Sequence, residues 1–409
     1  MRILYLFTCV TLLLSATPVE PRLKPIFDGK SLKGWKQCNG TAKYTVKDEM
    51  ITGTTIDGSP NSFLCSEKTY GNFILEFEVK TDPELNSGVQ IRSHRYKEAA
   101  QVRTYNKGWQ DRKHEAGRVY GYQVEIASEK SGASGGIYDE ARRGWVDNIS
   151  AKEPARSAFK DSQWNKYRVK ADGDHMQVWI NGVPCADLHD TADADGFLAL
   201  QVHAYKGPTR TVSWRNIMLA ELPPTSWKPM MDGKTMAGWE KSGGGEWEIK
   251  DGAFHATADP AIHKTGGYLL STTRSSDFTL RFNYKITAGN SGLFFRFEKP
   301  GVKVEGARGY EVEIDPTRDV GGLQEVGKRG WIQHVDAAIH NDVFNKDAWN
   351  EMVISAHGHR IVINVNGVKI VDRIDVEESR LEGLFALQVN ARNALDVWFK
   401  DIQTLEHSK

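Results

Sequence analysis

The stretch NSGVQIR, Asn86 to Arg92, returns as NSGLFFR, Asn290 to Arg296, and that return decides how the chain folds. Around it a whole series of short motifs appears twice in the same order. FDGK at 27–30 with GW at 34–35 recurs as MDGK at 231–234 with GW at 238–239. GYQVEI at 121–126 matches GYEVEI at 309–314, and RGW at 143–145 matches RGW at 329–331. WN at 164–165, NGV at 181–183 and LQV at 200–202 match WN at 349–350, NGV at 366–368 and LQV at 387–389. So many matches in one order, repeating after about 190 residues, mark a duplicated domain. Leu222-Pro223-Pro224-Thr225 joins the copies as a proline-rich linker too short for free swivelling.

Within each copy the hydrophobic period is two. Phe73 to Val79 and Phe278 to Tyr284 alternate apolar and polar residues. Tyr167 to Ala171, Met176 to Ile180 and Phe197 to Val202 are further short runs, bounded by glycine and aspartate, and Asp172-Gly173 is a hairpin turn signal. No long segment carries a helical period. Many short strands in each half predict an all-β chain, one two-sheet jelly-roll sandwich per copy.

The length of 409 residues fits two or three domains, and 40% hydrophobic with 26% charged residues is the composition of a globular protein. Lysine and arginine number 53, as do aspartate and glutamate, so no net charge draws the chain to nucleic acid or an anionic membrane. Met1-Arg2, the apolar run Ile3 to Leu14 and the small residues Ser15-Ala16-Thr17 read as a signal peptide over residues 1–17. The run is too short to span a bilayer, and the expected location is secreted or periplasmic. Cys9 falls inside that leader, leaving Cys38, Cys65 and Cys185. A Cys38–Cys65 bridge and three free thiols both stand open. There is no CxxC or HExxH metal motif.

Taken together, FDGKSLKGW, NSGVQIR, GYQVEI, WNKYRV, INGV and GFLALQVHA…VSWRNI resemble the 3-keto-disaccharide hydrolase domain family, in two copies over residues 22–222 and 224–407. The resemblance implies a concanavalin A-like jelly roll in each copy. It also implies action on 3-ketoglycosides, as a 1,2-lyase, as a hydratase of the resulting 3-keto-2-hydroxyglucal, or as a hydrolase by net outcome. A small carbohydrate is then the expected partner.

Strand alternation sorts the motif residues by face. Val89 and Ile91 point one way, Gln90 and Arg92 the other; Gln123 and Glu125 oppose Tyr122 and Val124; Gln201 and His203 oppose Leu200 and Val202. If the three strands are neighbours, Gln90, Arg92, Gln123, Glu125, Gln201 and His203 form one polar patch. Fold analogy puts that patch on the sugar-binding concave sheet. The second copy offers Phe294, Arg296, Glu311, Glu313, Gln388 and Asn390 instead. Asparagine cannot act as a base, so the first domain is expected to be catalytic and the second to bind or support. Arg296, Glu311 and Glu313 are then substrate contacts. The first copy also carries about 16 extra residues between Arg92 and Gly121, with Tyr105 and Trp109 among them. They are expected to close over the patch, with Trp109 either a sugar platform or simply packed.

A 3-keto sugar needs a base near C2, a donor on the C3 oxygen and an acid for the leaving group. His203 fits the base, Arg92 the enolate stabiliser, and Glu125 the acid, the base or the group orienting His203. A divalent metal on His203 and Glu125 is an alternative, as is a structural calcium, and no cofactor is required. Against each role stands the plain one, a solvated side chain on a sheet. Two rivals remain. Glu311, Glu313 and Asp315 approach the alternating carboxylates of laminarinase-type glycosidases, although Pro316 interrupts that strand and the first copy has Gln123, Glu125 and Ala127. The other rival is a non-catalytic tandem lectin.

Overall fold

The computed structural model describes residues 21–105, 108–298, 307–377 and 380–406, and the leader over 1–17 lies outside them. Each copy is a sandwich of two antiparallel sheets. In the first domain a seven-stranded sheet runs in the order Gly144–Asp147, Ile137–Glu140, Val119–Ile126, Ser87–Arg95, Gly196–Val202, Ser62–Tyr70, Trp35–Gln37. An eight-stranded sheet built around Phe73–Thr81 and Thr211–Glu221 packs against it. Leu75, Phe77 and Val79 from one sheet and Val89, Ile91 and Val124 from the other are buried in one core. The second domain repeats the plan, with Ser291–Glu298 between Arg308–Ile314 and Leu384–Val389 in its own seven-stranded sheet. Its core joins Leu280, Phe282 and Ile286 to Leu293, Phe295 and Val312. The fold is two tandem jelly-roll sandwiches, as the duplicated period-two pattern requires.

The extra residues of the first copy form a hairpin, Ala100–Tyr105 with Trp109–His114, whose Arg112 comes beside Tyr138, the residue opposite Gln123. Its tip reaches across to the second domain. Tyr105 Oη donates to Asp342 Oδ2 at 3.1 Å and Trp109 Nε1 to the Asp342 carbonyl at 2.6 Å. Both rings pack at the edge of the second core. Asp342 sits in the helix Ala337–Val343, whose start is capped by the Asp336 side chain accepting from the Ala338 N–H. The hairpin thus straps the two domains together, with Trp109 packed against the second core.

Cys38, just past the strand Trp35–Gln37, forms a disulfide with Cys65 on the adjacent strand Ser62–Tyr70, and Cys185 is free. Burial pushes the Cys185 thiol up to about 11. Among the described residues no helix is long and apolar enough to cross a membrane.

Candidate active site

In the first domain the central strands bring the predicted polar residues into register. Glu125 and Gln201 both stand opposite Gly88, and Gln123 and Ala199 both stand opposite Gln90. Gly88 is glycine because the Gln123 side chain crosses it; a Cβ there would lie 2.4 Å from Gln123 Cδ. A hydrogen-bonded row follows. Ser93 Oγ donates to Gln90 Oε1 at 2.7 Å, Gln90 Nε2 to Gln123 Oε1 at 2.7 Å, and Gln123 Nε2 to Glu125 Oε2 at 3.0 Å. Asn86 Nδ2 holds the other oxygen of Glu125. Burial raises the Glu125 pKa, opposed by those two amides and by nearby His203. His203 Nδ1 lies 2.8 Å from the Ala204 carbonyl, which can only accept. Nδ1 therefore carries a proton, so that in the neutral ring the lone pair is on Nε2. The Gln201 amide is fully buried, and neither of its polar atoms has a partner among the described residues. No third histidine, cysteine or carboxylate among the described residues joins His203 and Glu125 in a metal-sized cluster.

Arg92 departs from this row. Phe197 pairs with Ser93 but Ala199 pairs with Gln90, so Ile91 and Arg92 face one residue, a β-bulge, and Arg92 takes φ +44°. Alternation breaks there, and the guanidinium turns to the loops. Nε donates to Gly71 O at 2.8 Å, Nη1 to Gly173 O at 2.6 Å and Nη2 to Asn72 Oδ1 at 3.0 Å. Arg296 repeats the bulge at φ +49° and donates to Ser276 O at 3.1 Å. Both arginines pin loops, and neither reaches the polar face. The repeated RGW arginines act in a similar way. Arg143 makes a two-pronged pair with Asp190 at 2.8 and 3.0 Å, and Arg329 pairs with Asp375 at 3.0 and 2.6 Å.

The second domain turns the same scaffold into a cavity of 540 Å³, within the range of small-molecule sites, about 300–1,000 Å³. Glu313 stands opposite Gly292 and Glu311 opposite Phe294. Glu311 bends over Gly292, where a Cβ would lie 2.4 Å from its Oε1. Asn290 Nδ2 and Gln324 Nε2, the latter at 2.8 Å, hold the two oxygens of Glu313. Asn390, in the place of His203, donates to Asn290 Oδ1 at 3.0 Å and so supports Glu313 at one remove. Burial raises Glu313 to about 7, helped by Asp315 and Asp319 and opposed by Asn290. Burial and the adjacent Glu313 push Glu311 well above the ordinary range. Both carboxyl groups on this strand are thus pushed above the ordinary carboxylate range, Glu313 to about 7. Trp331 stands half exposed at the cavity wall, and Gln388 Oε1 has no partner among the described residues. The strand ends at Ile314, before Pro316, so Asp315 lies on the loop and caps Thr317 rather than extending the row.

Reading by alternation misses Asn86, Asn290 and Gln324. The first two carry a signal, since each opens the repeated NSG motif, but alternation does not sort turn residues by face. Gln324 lies on a four-residue strand whose period is too short to read.

A double jelly roll whose sheet faces carry buried carboxyls and amides over a sugar-sized cavity defines a carbohydrate-handling protein, by cleavage or by binding. The chain belongs to the 3-keto-alpha-glucoside-1,2-lyase-like domain family, whose model matches residues 22–220 and again 226–404. No curated protein matches it. Among solved structures it is similar to the carbohydrate-binding module CBM66 from Bacillus subtilis, at 21% identity over 42% of this chain and 98% of that one, TM-score 0.34. A Bacillus subtilis protein of galectin-like fold aligns at 10% identity over 44% and 98%, TM-score 0.35.

Proposed function

We propose that the protein cleaves 3-ketoglucosides by removing the C2 proton and eliminating the C1 substituent, with the second-domain cavity as the site. The observation that carries this reading is the pair Glu311 and Glu313, both raised by burial, lining that cavity. Glu313, half ionised near pH 7, takes the C2 proton, which the neighbouring ketone acidifies. Glu311 stays neutral and donates a hydrogen bond to the C3 oxygen as the enolate forms, a role that neither bulge arginine can fill from its loop. The enolate electrons then expel the C1 oxygen, and the proton on Glu313 passes to that leaving group. Water can add back at C1 with Glu313 as base, and return of the proton to C2 completes net hydrolysis.

The first domain supplies a second reading of the same chemistry. His203, whose neutral ring has its lone pair on Nε2, and buried Glu125 occupy the equivalent row, which favours them as base and acid there. Gln90, Gln123 and Gln201 would then hold sugar hydroxyls. Export from the cytoplasm belongs to the proposal and is supported by the leader-like residues 1–17 and the Cys38–Cys65 bridge.

The test is turnover of a 3-ketoglucoside and its unoxidised parent in D2O. Deuterium at C2, or an enone from the keto compound alone, supports elimination. Loss in Glu313→Gln with retention in His203→Ala supports the second-domain site, and the reverse moves the chemistry to the first. Cleavage of the parent glycoside would favour a two-carboxylate hydrolase, and binding without turnover a tandem lectin.

A further inference from the structure

The domain interface holds a cluster that the proposed chemistry does not use. His175 and His189 face each other across neighbouring antiparallel strands of the first domain, their rings stacked at 4.2 Å with 10° between planes. His357, at the end of the Asn350–His357 strand of the second domain, brings its ring to 5.4 and 5.0 Å from theirs. One ligand atom from each histidine lies within 4.8 Å of the other two. We propose that His175, His189 and His357 form a divalent transition-metal site, zinc by preference, that clasps the two domains together.

Each imidazole has a carboxylate beside it, as metal-binding histidines do. Asp187 lies 2.9 Å from His175 Nε2, Asp174 3.0 Å from His189 Nδ1, and Asp277 3.9 Å from His357 Nδ1. At His175 and His189, where the carboxylate is within hydrogen-bond distance, it favours the proton on the nitrogen it faces and turns the opposite ring nitrogen toward a metal. The supporting residues also cross the interface. Asp174 Oδ2 accepts from Thr279 Oγ1 at 2.7 Å and Ser355 Oγ at 3.0 Å, and Arg360 pairs with Asp187. Asp174, Asp187 and Asp277 flank the rings, with Arg360 set against Asp187 and Arg296 against Asp277.

The donor set selects the ion. Three imidazole nitrogens suit zinc, cobalt or nickel, whereas calcium and magnesium take oxygen. Tetrahedral coordination at about 2.0–2.1 Å sets nitrogens roughly 3.4 Å apart, so modest ring rotations close the cluster. His175 and His357 are only half buried, which leaves a side from which water can fill the fourth position. The site serves cohesion: no one domain owns three ligands, so binding favours the docked arrangement by mass action.

The experiment uses the full chain without a histidine tag, stripped with chelator and titrated with Co2+. The expected result is one cobalt per chain with the intense visible absorption of tetrahedral nitrogen coordination, displaced by zinc and unaffected by calcium. Zinc should raise the thermal midpoint by a few degrees. His189→Ala and His357→Gln should each weaken binding about 100-fold, while His263→Ala binds like the parent. Retained binding in His357→Gln, or a parent chain that takes up no stoichiometric cobalt, overturns the proposal. If His357→Gln is unfolded by circular dichroism, His175→Gln replaces it. The cobalt spectrum of the parent decides in any case, because a pale octahedral spectrum also overturns it.

Discussion

Glu313 is held near 7 by burial among other carboxylates, and two outcomes follow from that one shift. As a base it must be ionised, so kcat/KM for a 3-ketoglucoside should rise with pH through about 7, and Glu313→Gln should lose roughly 10²–10⁴-fold in turnover. For stability the sign is opposite. Between the ordinary carboxylate range and 7 the folded chain binds this proton more tightly than the unfolded one. Raising pH across that window should therefore destabilise the fold by of the order of 1–3 kcal/mol, and Glu313→Gln should flatten the slope in thermal scans at graded pH. Arg92 makes the contrasting case. Arg92→Lys cannot satisfy the acceptors of Gly71, Asn72 and Gly173 together. It should cost about 2–4 kcal/mol in denaturant melts, with kcat of the folded fraction unchanged. Gln90 and Arg92 are two residues apart, and simple alternation puts both on the polar face. Gln90 is legible because its strand is regular at that point. Arg92 is not, because a bulge carries no composition signal and becomes visible only when neighbouring strands are aligned.

At the level of elements, the strap binds the domains through few side chains. Trp109→Ala removes an indole packed on the second core and its hydrogen bond to Asp342. It should lower interdomain coupling by about 1–3 kcal/mol, seen as a single unfolding transition splitting in two, while substrate turnover is unchanged. The insertion's length is plain from comparing the copies, and its destination is not. Its seat is a helix some 230 residues further along, within the other copy, and nothing local to either segment encodes the pairing. The strands behave differently. Their identity and pairing follow from alternation and turn residues within a short window, so the rows Gln123–Glu125 and Glu311–Glu313 are readable from the chain alone.

At the scale of the molecule, two hydrophobic cores are built from one duplicated pattern, and the duplication alone carries the all-β, two-sandwich architecture. What it does not carry is difference. The row residues diverge between copies, with Phe294, Glu311 and Asn390 standing where the first copy has Gln90, Gln123 and His203. The first domain has a further brace. Cys38 and Cys65 close a loop with a sequence separation of 27, and reduction should destabilise the protein by about 3 kcal/mol in melts with and without reductant. The strap also gives the tandem a grammar. The hairpin occurs in the first copy and the receiving helix Ala337–Val343 in the second, so plug and socket are not interchangeable. A tandem of two identical halves would leave plug or socket without a mate, and adding a third half would extend nothing. Descended from a repeat, the pair has become a closed sentence of two unlike words.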